Sequence, residues 1–212
     1  MPKSTRPFLR ISLLLAVFAV SCGSNPMKDM TRTTVENPVY NTAYFSSPES
    51  DYVYKTNISV YGNEFSGIFI AKKINDTTHR VVFTTEFGNK LLDFEISETG
   101  FKVNSIVEEL DKKMLINTLV ADFRLLLRGK FAIQGQYENP VSKILQSKDG
   151  NRFNYLYISK SDGKLAKILN TSKRKEKISI TFNSENNIFA ERIIIQHYNI
   201  KLRIELNYFK NQ

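Results

Sequence analysis

The chain reads as mainly β: an antiparallel, strongly curved sheet or partial barrel whose apolar side is covered by a helix. Three observations predict it. About ten short stretches rich in β-branched and aromatic residues are punctuated by Gly, Asn and Asp turn signals. The last of them sets Ile200, Leu202, Ile204, Leu206 and Tyr208 against Lys201, Arg203, Glu205 and Asn207 in unbroken alternation. That is the pattern of an antiparallel sheet with one buried and one wet face. One segment alone carries a helical stripe, and only the sheet can receive it. About ten strands also exceed what a flat sheet usually carries without curling.

The strands run in order. Tyr52 to Tyr61 puts Tyr54, Thr56, Ile58 and Val60 on one face, and Gly62-Asn63 turns the chain into Glu64 to Lys72. Asn75-Asp76 breaks before Arg80 to Thr85, Gly88-Asn89 before Leu91 to Ser97, and Thr99-Gly100 before Phe101 to Ile106. Tight connections make these five an antiparallel meander. The helix follows: Met114, Leu115, Leu119, Val120, Phe123, Leu126 and Leu127 recur at spacings of three and four, between Asp111 as N-terminal cap and Gly129 as stop. A loop region punctuated by Gly135, Pro140 and Gly150 is expected next. Strands resume over Phe153 to Ser159, Lys164 to Asn170, Lys177 to Phe182, Phe189 to Gln196 and Ile200 to Tyr208.

The N-terminus is organised for export. Lys3, Arg6 and Arg10 precede the ten-residue apolar run Ile11 to Val20, the order of a secretory signal. Such a run spans about 15 Å as a helix, half of what a bilayer core needs. Ala19-Val20-Ser21-Cys22 resembles the lipobox of bacterial lipoproteins, with Ala19 where Leu is more usual. That resemblance implies cleavage before Cys22, a diacylglycerol on its thiol and an acyl group on its new amino terminus. The plain reading is a secretory signal that happens to contain a cysteine. Residues 1–21 are thus expected as signal peptide, 22–45 as a flexible tether rich in Gly, Pro and Asn, and 46–212 as one domain with folding beginning near Asp51. Removing residues 1–21 takes three positive charges and no negative one, so the formal net charge falls from +9 to +6. Cys22 is the one cysteine, so no disulfide can staple the core.

Catalytic chemistry finds no support. His79 and His197 each lie beside a turn without neighbours at metal-ligand spacing, and Glu108, Glu109 and Asp111 suit a helix start. No enzyme, metal or cofactor is expected, and nucleic acid is not expected as a partner. Lys173-Arg174-Lys175-Glu176-Lys177 reads either as a solvated hairpin or as a stretch attracted to lipid phosphates. Phe87, directly before Gly88 in a turn, either folds back on the core or stands out as an apolar finger.

The stretch Arg80-Val-Val-Phe-Thr-Thr-Glu-Phe-Gly-Asn-Lys-Leu-Leu-Asp-Phe-Glu-Ile resembles the third and fourth strands of the LolB family of outer-membrane lipoprotein receptors. Glu64-Phe-Ser-Gly-Ile-Phe-Ile resembles the second strand, Glu191-Arg-Ile-Ile-Ile-Gln the penultimate one and Ile200-Lys-Leu-Arg-Ile-Glu-Leu-Asn-Tyr the closing one. Glu86 stands where the family usually has Pro, and one helix where it has several. The resemblance implies an open half-barrel of about ten to eleven strands with a helical lid over an apolar cavity. Phe69, Phe83, Phe94, Leu119, Phe123, Leu202 and Ile204 would line it, and Phe87 with Gly88 would form the loop that delivers acyl chains. It further implies a monomer held to the outer membrane at Cys22 and facing the periplasm. Such a protein would bind acyl chains of lipoproteins or lipids, contact outer-membrane lipid and receive cargo from a LolA-type periplasmic carrier. A structural or assembly lipoprotein that docks a partner and binds no lipid is the other reading.

Overall fold

Two meanders, separated in sequence by one helix, are joined by the last strand. The computed structural model describes residues 29–173, 175–185 and 188–209; the signal segment, Cys22 and Arg174 lie outside them. The first meander is β3 (Asp51–Val60), β4 (Asn63–Lys73), β5 (Thr78–Thr84), β6 (Lys90–Ser97) and β7 (Phe101–Ile106). Helix α1 (Lys113–Leu126) follows. The second meander is β8 (Lys130–Glu138), β9 (Ser142–Asp149), β10 (Arg152–Ser159), β11 (Leu165–Ser172), β12 (Lys175–Asn183), β13 (Arg192–His197) and β14 (Leu202–Tyr208). Strand β14 pairs with β13 on one side and with β3 on the other, all antiparallel. Short β1 (Thr31–Thr33) and β2 (Val39–Asn41) both pair with β8.

The sheet does not close, since β1 and β7 end its order. It holds fourteen strands among the described residues rather than ten to eleven. Register shifts at Phe83/Thr84, Asp93/Phe94, Ile133/Gly135, Tyr157/Ile158 and Asn170/Thr171 mark irregularities of the kind that bend and twist strands locally. Along β3, Tyr52, Tyr54, Thr56, Ile58 and Val60 are buried, and along β14 Leu202, Ile204 and Leu206, so both strands keep the expected face inward. The β3–β4 turn lies one residue earlier than expected. Val60 pairs with Asn63, leaving Tyr61 (φ 49°) and Gly62 (φ 90°) as the central residues of a hairpin turn that needs positive φ at both.

Three sequence expectations are corrected. The stretch 130–149 is not loop but β8 and β9; Gly135 marks a bulge, where a Cβ would come within 2.7 Å of the Gln146 amide oxygen. The tether does not run to residue 45. From Thr31 the chain pairs with β8, and Tyr44 and Phe45 are buried, Tyr44 stacked 4.9 Å from Phe182 and Phe45 packed 4.8 Å from Tyr52. Asp111 is not the helix cap. Lys112 takes that position with no side-chain cap bond, and the Asp111 N–H donates to the Val107 and Glu108 carbonyls in the turn before it.

Helix α1 lies on the concave face. Leu119, Val120, Phe123 and Leu126 are buried there, with the Phe123 ring 5.2 Å from Phe69. Arg124 donates from Nε to the Ser97 carbonyl (2.7 Å) and from Nη2 to the Gly100 carbonyl (2.9 Å), clamping the C-terminal half of the helix to the β6–β7 turn. The N-terminal half is less covered, with Met114 65% exposed.

Candidate functional site

The less covered half of α1 borders a furrow made of adjoining grooves. One, of about 470 Å³, lies between the helix start and the β3–β4 hairpin and is walled by Val60, Phe65, Leu115 and Ile200. A second, of about 620 Å³, lies between α1 and β10–β13; Asp122, Arg152, Lys177 and His197 are on its walls. Met114, Thr118 and Ile200 belong to both, so the apolar groove passes into the polar one. Each volume falls in the range that holds a small ligand.

The register fixes what surrounds the furrow. Val60 is opposite Leu202 and Asn63, and Thr84 is opposite Ile68 and Lys90. The β13–β14, β3–β4 and β5–β6 turns therefore share one rim of the sheet. At their tips Tyr198 and Tyr61 are each 52% exposed and Phe87 is 95% exposed. Phe87 does not fold back on the core. Its turn is pinned from inside: the Gly88 N–H donates to the Thr85 carbonyl (3.0 Å), the Thr85 N–H to the Asn89 carbonyl (2.8 Å) and the Asn89 N–H to Thr85 Oγ1 (3.1 Å). Gly88, at φ 86°, takes a conformation that a side chain would strain. The ring is thus held outward by a rigid turn.

The seven residues expected to line a cavity are placed differently. Phe69, Phe83, Phe94, Leu119, Phe123, Leu202 and Ile204 are each at most 1% exposed and belong to one packed core under α1. None of them is on the walls of the two adjoining grooves.

Two buried carboxylates went unpredicted. Asp122, on the sheet-facing side of α1, meets His197 of β13, Oδ2 to Nε2 2.8 Å, while its Oδ1 has no hydrogen-bond partner. Burial pushes its pKa up against the opposing effect of the His197 bond. His197 is therefore not an isolated residue beside a turn. His79 is also buried, with Nε2 3.0 Å from the Phe45 carbonyl, and burial lowers its pKa. On the outer face, Asp93 of β6 accepts from Arg80 Nε (3.0 Å) and Nη2 (2.7 Å), Lys90 Nζ (2.8 Å) and Asn104 Nδ2 (3.3 Å). The Arg80 bonds, foremost, hold its carboxyl well below the ordinary range. No group of three or more His, Cys, Asp or Glu side chains that could hold a metal occurs among the described residues.

No family model matches the chain, and neither does any curated protein. Solved structures are similar to the chain, two of them as follows. A LolA superfamily protein from Nitrosomonas europaea superposes with a TM-score of 0.50 at 10% identity, covering 78% of this chain and 87% of that one. A putative outer membrane lipoprotein-sorting protein domain from Vibrio parahaemolyticus gives 0.43 at 8% identity, covering 75% and 83%. The first of these likenesses is one of fold alone.

Proposed function

We propose that this protein is a lipid-anchored, LolB-like receptor of the outer membrane that accepts acyl chains of lipoproteins and passes them into the bilayer. Its anchor would be the acylated Cys22, its cargo would come from a LolA-type periplasmic carrier, and it would work as a monomer without a cofactor. The observation that carries this reading is Phe87, 95% exposed on a hydrogen-bonded turn along the rim where the apolar groove opens. Phe87, Tyr61 and Tyr198 stand exposed on turns of the one rim that borders the apolar groove, and it is apolar surface gathered beside a groove, not a single exposed ring, that marks a ligand or membrane contact.

The acyl chain enters beside Val60, Phe65, Leu115 and Ile200 and reaches the core as α1 lifts. Uncovering Leu119, Val120, Phe123 and Leu126 costs about 6–12 kcal/mol at 1.5–3 per side chain. A chain of about sixteen carbons returns about 12 kcal/mol at 0.8 per methylene. The lid thus stays down until cargo replaces it, and the seven core residues line the cavity only then.

The closed core also favours a second reading, an assembly lipoprotein that docks a partner and binds no lipid. Mass spectrometry of the purified protein separates the two, since acyl-chain cargo co-purifies only under the first. The sharper test is transfer to liposomes by Phe87→Glu. Binding of acyl chains should persist and transfer should fall; undiminished transfer removes Phe87 from the mechanism.

A further inference from the structure

The polar end of the furrow is built for an anion. Arg152 and Lys177 face the groove from neighbouring parts of the sheet, and neither has a carboxylate within ion-pair distance among the described residues. Arg152 has one long side-chain bond, Nη1 to Asn170 Oδ1 at 3.4 Å. The acid on the same walls, Asp122, is fully buried and bonded to His197; Arg152 acts on it through space, in the direction that lowers its pKa, but makes no ion pair with it. The opposite end carries Glu64 and Glu109 against one cation, Lys112. A ligand with an apolar tail and an anionic head can therefore lie only one way round: tail toward Phe65 and Leu115, head toward Arg152 and Lys177.

We propose that the furrow also takes a phospholipid, its acyl chain in the apolar groove and its phosphate diester between Arg152 and Lys177. This rests on the acyl-chain reading of the apolar groove and adds a headgroup site that the lipoprotein cargo does not require. A guanidinium presents paired donors to phosphate oxygens and an ammonium adds a point charge, the combination that phosphate recognition uses.

The test is calorimetric titration of the full chain with three water-soluble ligands: dihexanoyl phosphatidylglycerol, dihexanoylglycerol and inorganic phosphate. The phospholipid should bind about tenfold more tightly than the neutral diacylglycerol, the factor expected of one charge-assisted hydrogen-bonded contact. Arg152→Ala/Lys177→Ala should erase that advantage and leave dihexanoylglycerol binding unchanged, while Arg152→Lys/Lys177→Arg should keep most of it. Both side chains are at least partly exposed, so the variants should fold; a thermal transition like the parent's checks this. Equal affinity for the two lipids in the parent overturns the headgroup site and leaves the acyl-chain reading intact. Inorganic phosphate binding as tightly as the phospholipid overturns it in favour of a free-anion site. Failure of both lipids to bind overturns the acyl-chain reading, and the headgroup site with it.

Discussion

The two meanders deal with a buried carboxylate in opposite ways. In the first, Asp93 is 1% exposed yet meets three donor side chains, two of them cations that are themselves half in water. Every oxygen is used, and the cluster braces the base of the β5–β6 hairpin that ends in Phe87. Across the β14–β3 seam, Asp122 is buried more deeply, has one histidine and leaves an oxygen unmet beside an open groove. The first arrangement is finished structure. The second leaves unmet polar capacity of the kind structure alone does not call for. The difference sets a fully satisfied brace under the Phe87 hairpin against an unsatisfied pair beside the groove.

Removing the seam should have the largest effect. Truncation after Asn199 deletes β14, whose pairing with β3 runs from Leu202–Val60 to Tyr208–Tyr54. Leu202, Ile204 and Leu206 are buried, and at about 1.5–3 kcal/mol each their loss rivals the 5–15 kcal/mol that holds a domain together. With it goes the one strand pairing between the meanders among the described residues, so no cooperative thermal transition should remain. A transition like the parent's would mean that the two halves fold independently.

Next come the carboxylates themselves. Asp122→Leu or His197→Leu alone should cost about 3–5 kcal/mol, because each leaves the other partner buried and unpaired. The double variant should return to within about 1 kcal/mol of the parent or exceed it, since an apolar pair of similar size fits the site. Urea denaturation measures all three. If the double variant is as unstable as the singles, the Asp122–His197 pair is scaffold after all and the comparison fails.

Asp93→Leu should cost less, about 1.5–3 kcal/mol, the worth of hydrogen bonds to a charged group, since Arg80 and Lys90 can return to water. The two sites should also respond to pH with opposite sign. The Asp93 pKa is lowered on folding, so its contribution is complete above the ordinary carboxyl value near 4 and is lost as pH falls through the lowered pKa. The Asp122 pKa is raised by burial, so the fold binds that proton more tightly than the unfolded chain does. Its contribution is complete below about 4 and is lost as pH rises through the raised pKa. Urea midpoints across pH should flatten on the acid side in Asp93→Asn and above pH 4 in Asp122→Asn. The same change in both variants would erase the distinction.

Much of the first meander was legible because its strands alternate and its turns carry Gly or Asn; β7 was bounded to the residue. The N-terminal pairing was not, because β1 and β2 are three residues each and draw their order from β8 rather than from any pattern of their own. β8 and β9 were hidden by Gly135, which marks a bulge as readily as a break. Of the site, Phe87 was legible as a turn residue, but alternation cannot say whether a turn residue faces in or out. Asp93 was invisible: an acid on the wet face of a strand is ordinary until its neighbours cover it. Asp122 did leave a signal. It stands three residues after Leu119 and four before Leu126, on the apolar stripe, where a carboxylate has no reason to be unless something across from it is polar.

The smallest expected effect tests the braced hairpin at its tip. With 95% of Phe87 in solvent, Phe87→Glu removes no packing and should change stability by no more than about 0.5 kcal/mol, as surface substitutions do. Were the ring part of the core, the same change would bury an unpaired carboxylate and cost several kcal/mol. Urea denaturation decides between these on one variant. Asp93→Leu provides the counterpart: it keeps Phe87 but removes the brace at Lys90, the first residue of β6 after the turn. If the turn depends on that brace, Asp93→Leu should lower liposome transfer while acyl-chain binding stays unchanged. Full transfer by this variant would mean that the Thr85–Asn89 hydrogen bonds alone hold the ring outward, and that the Asp93 cluster serves stability only.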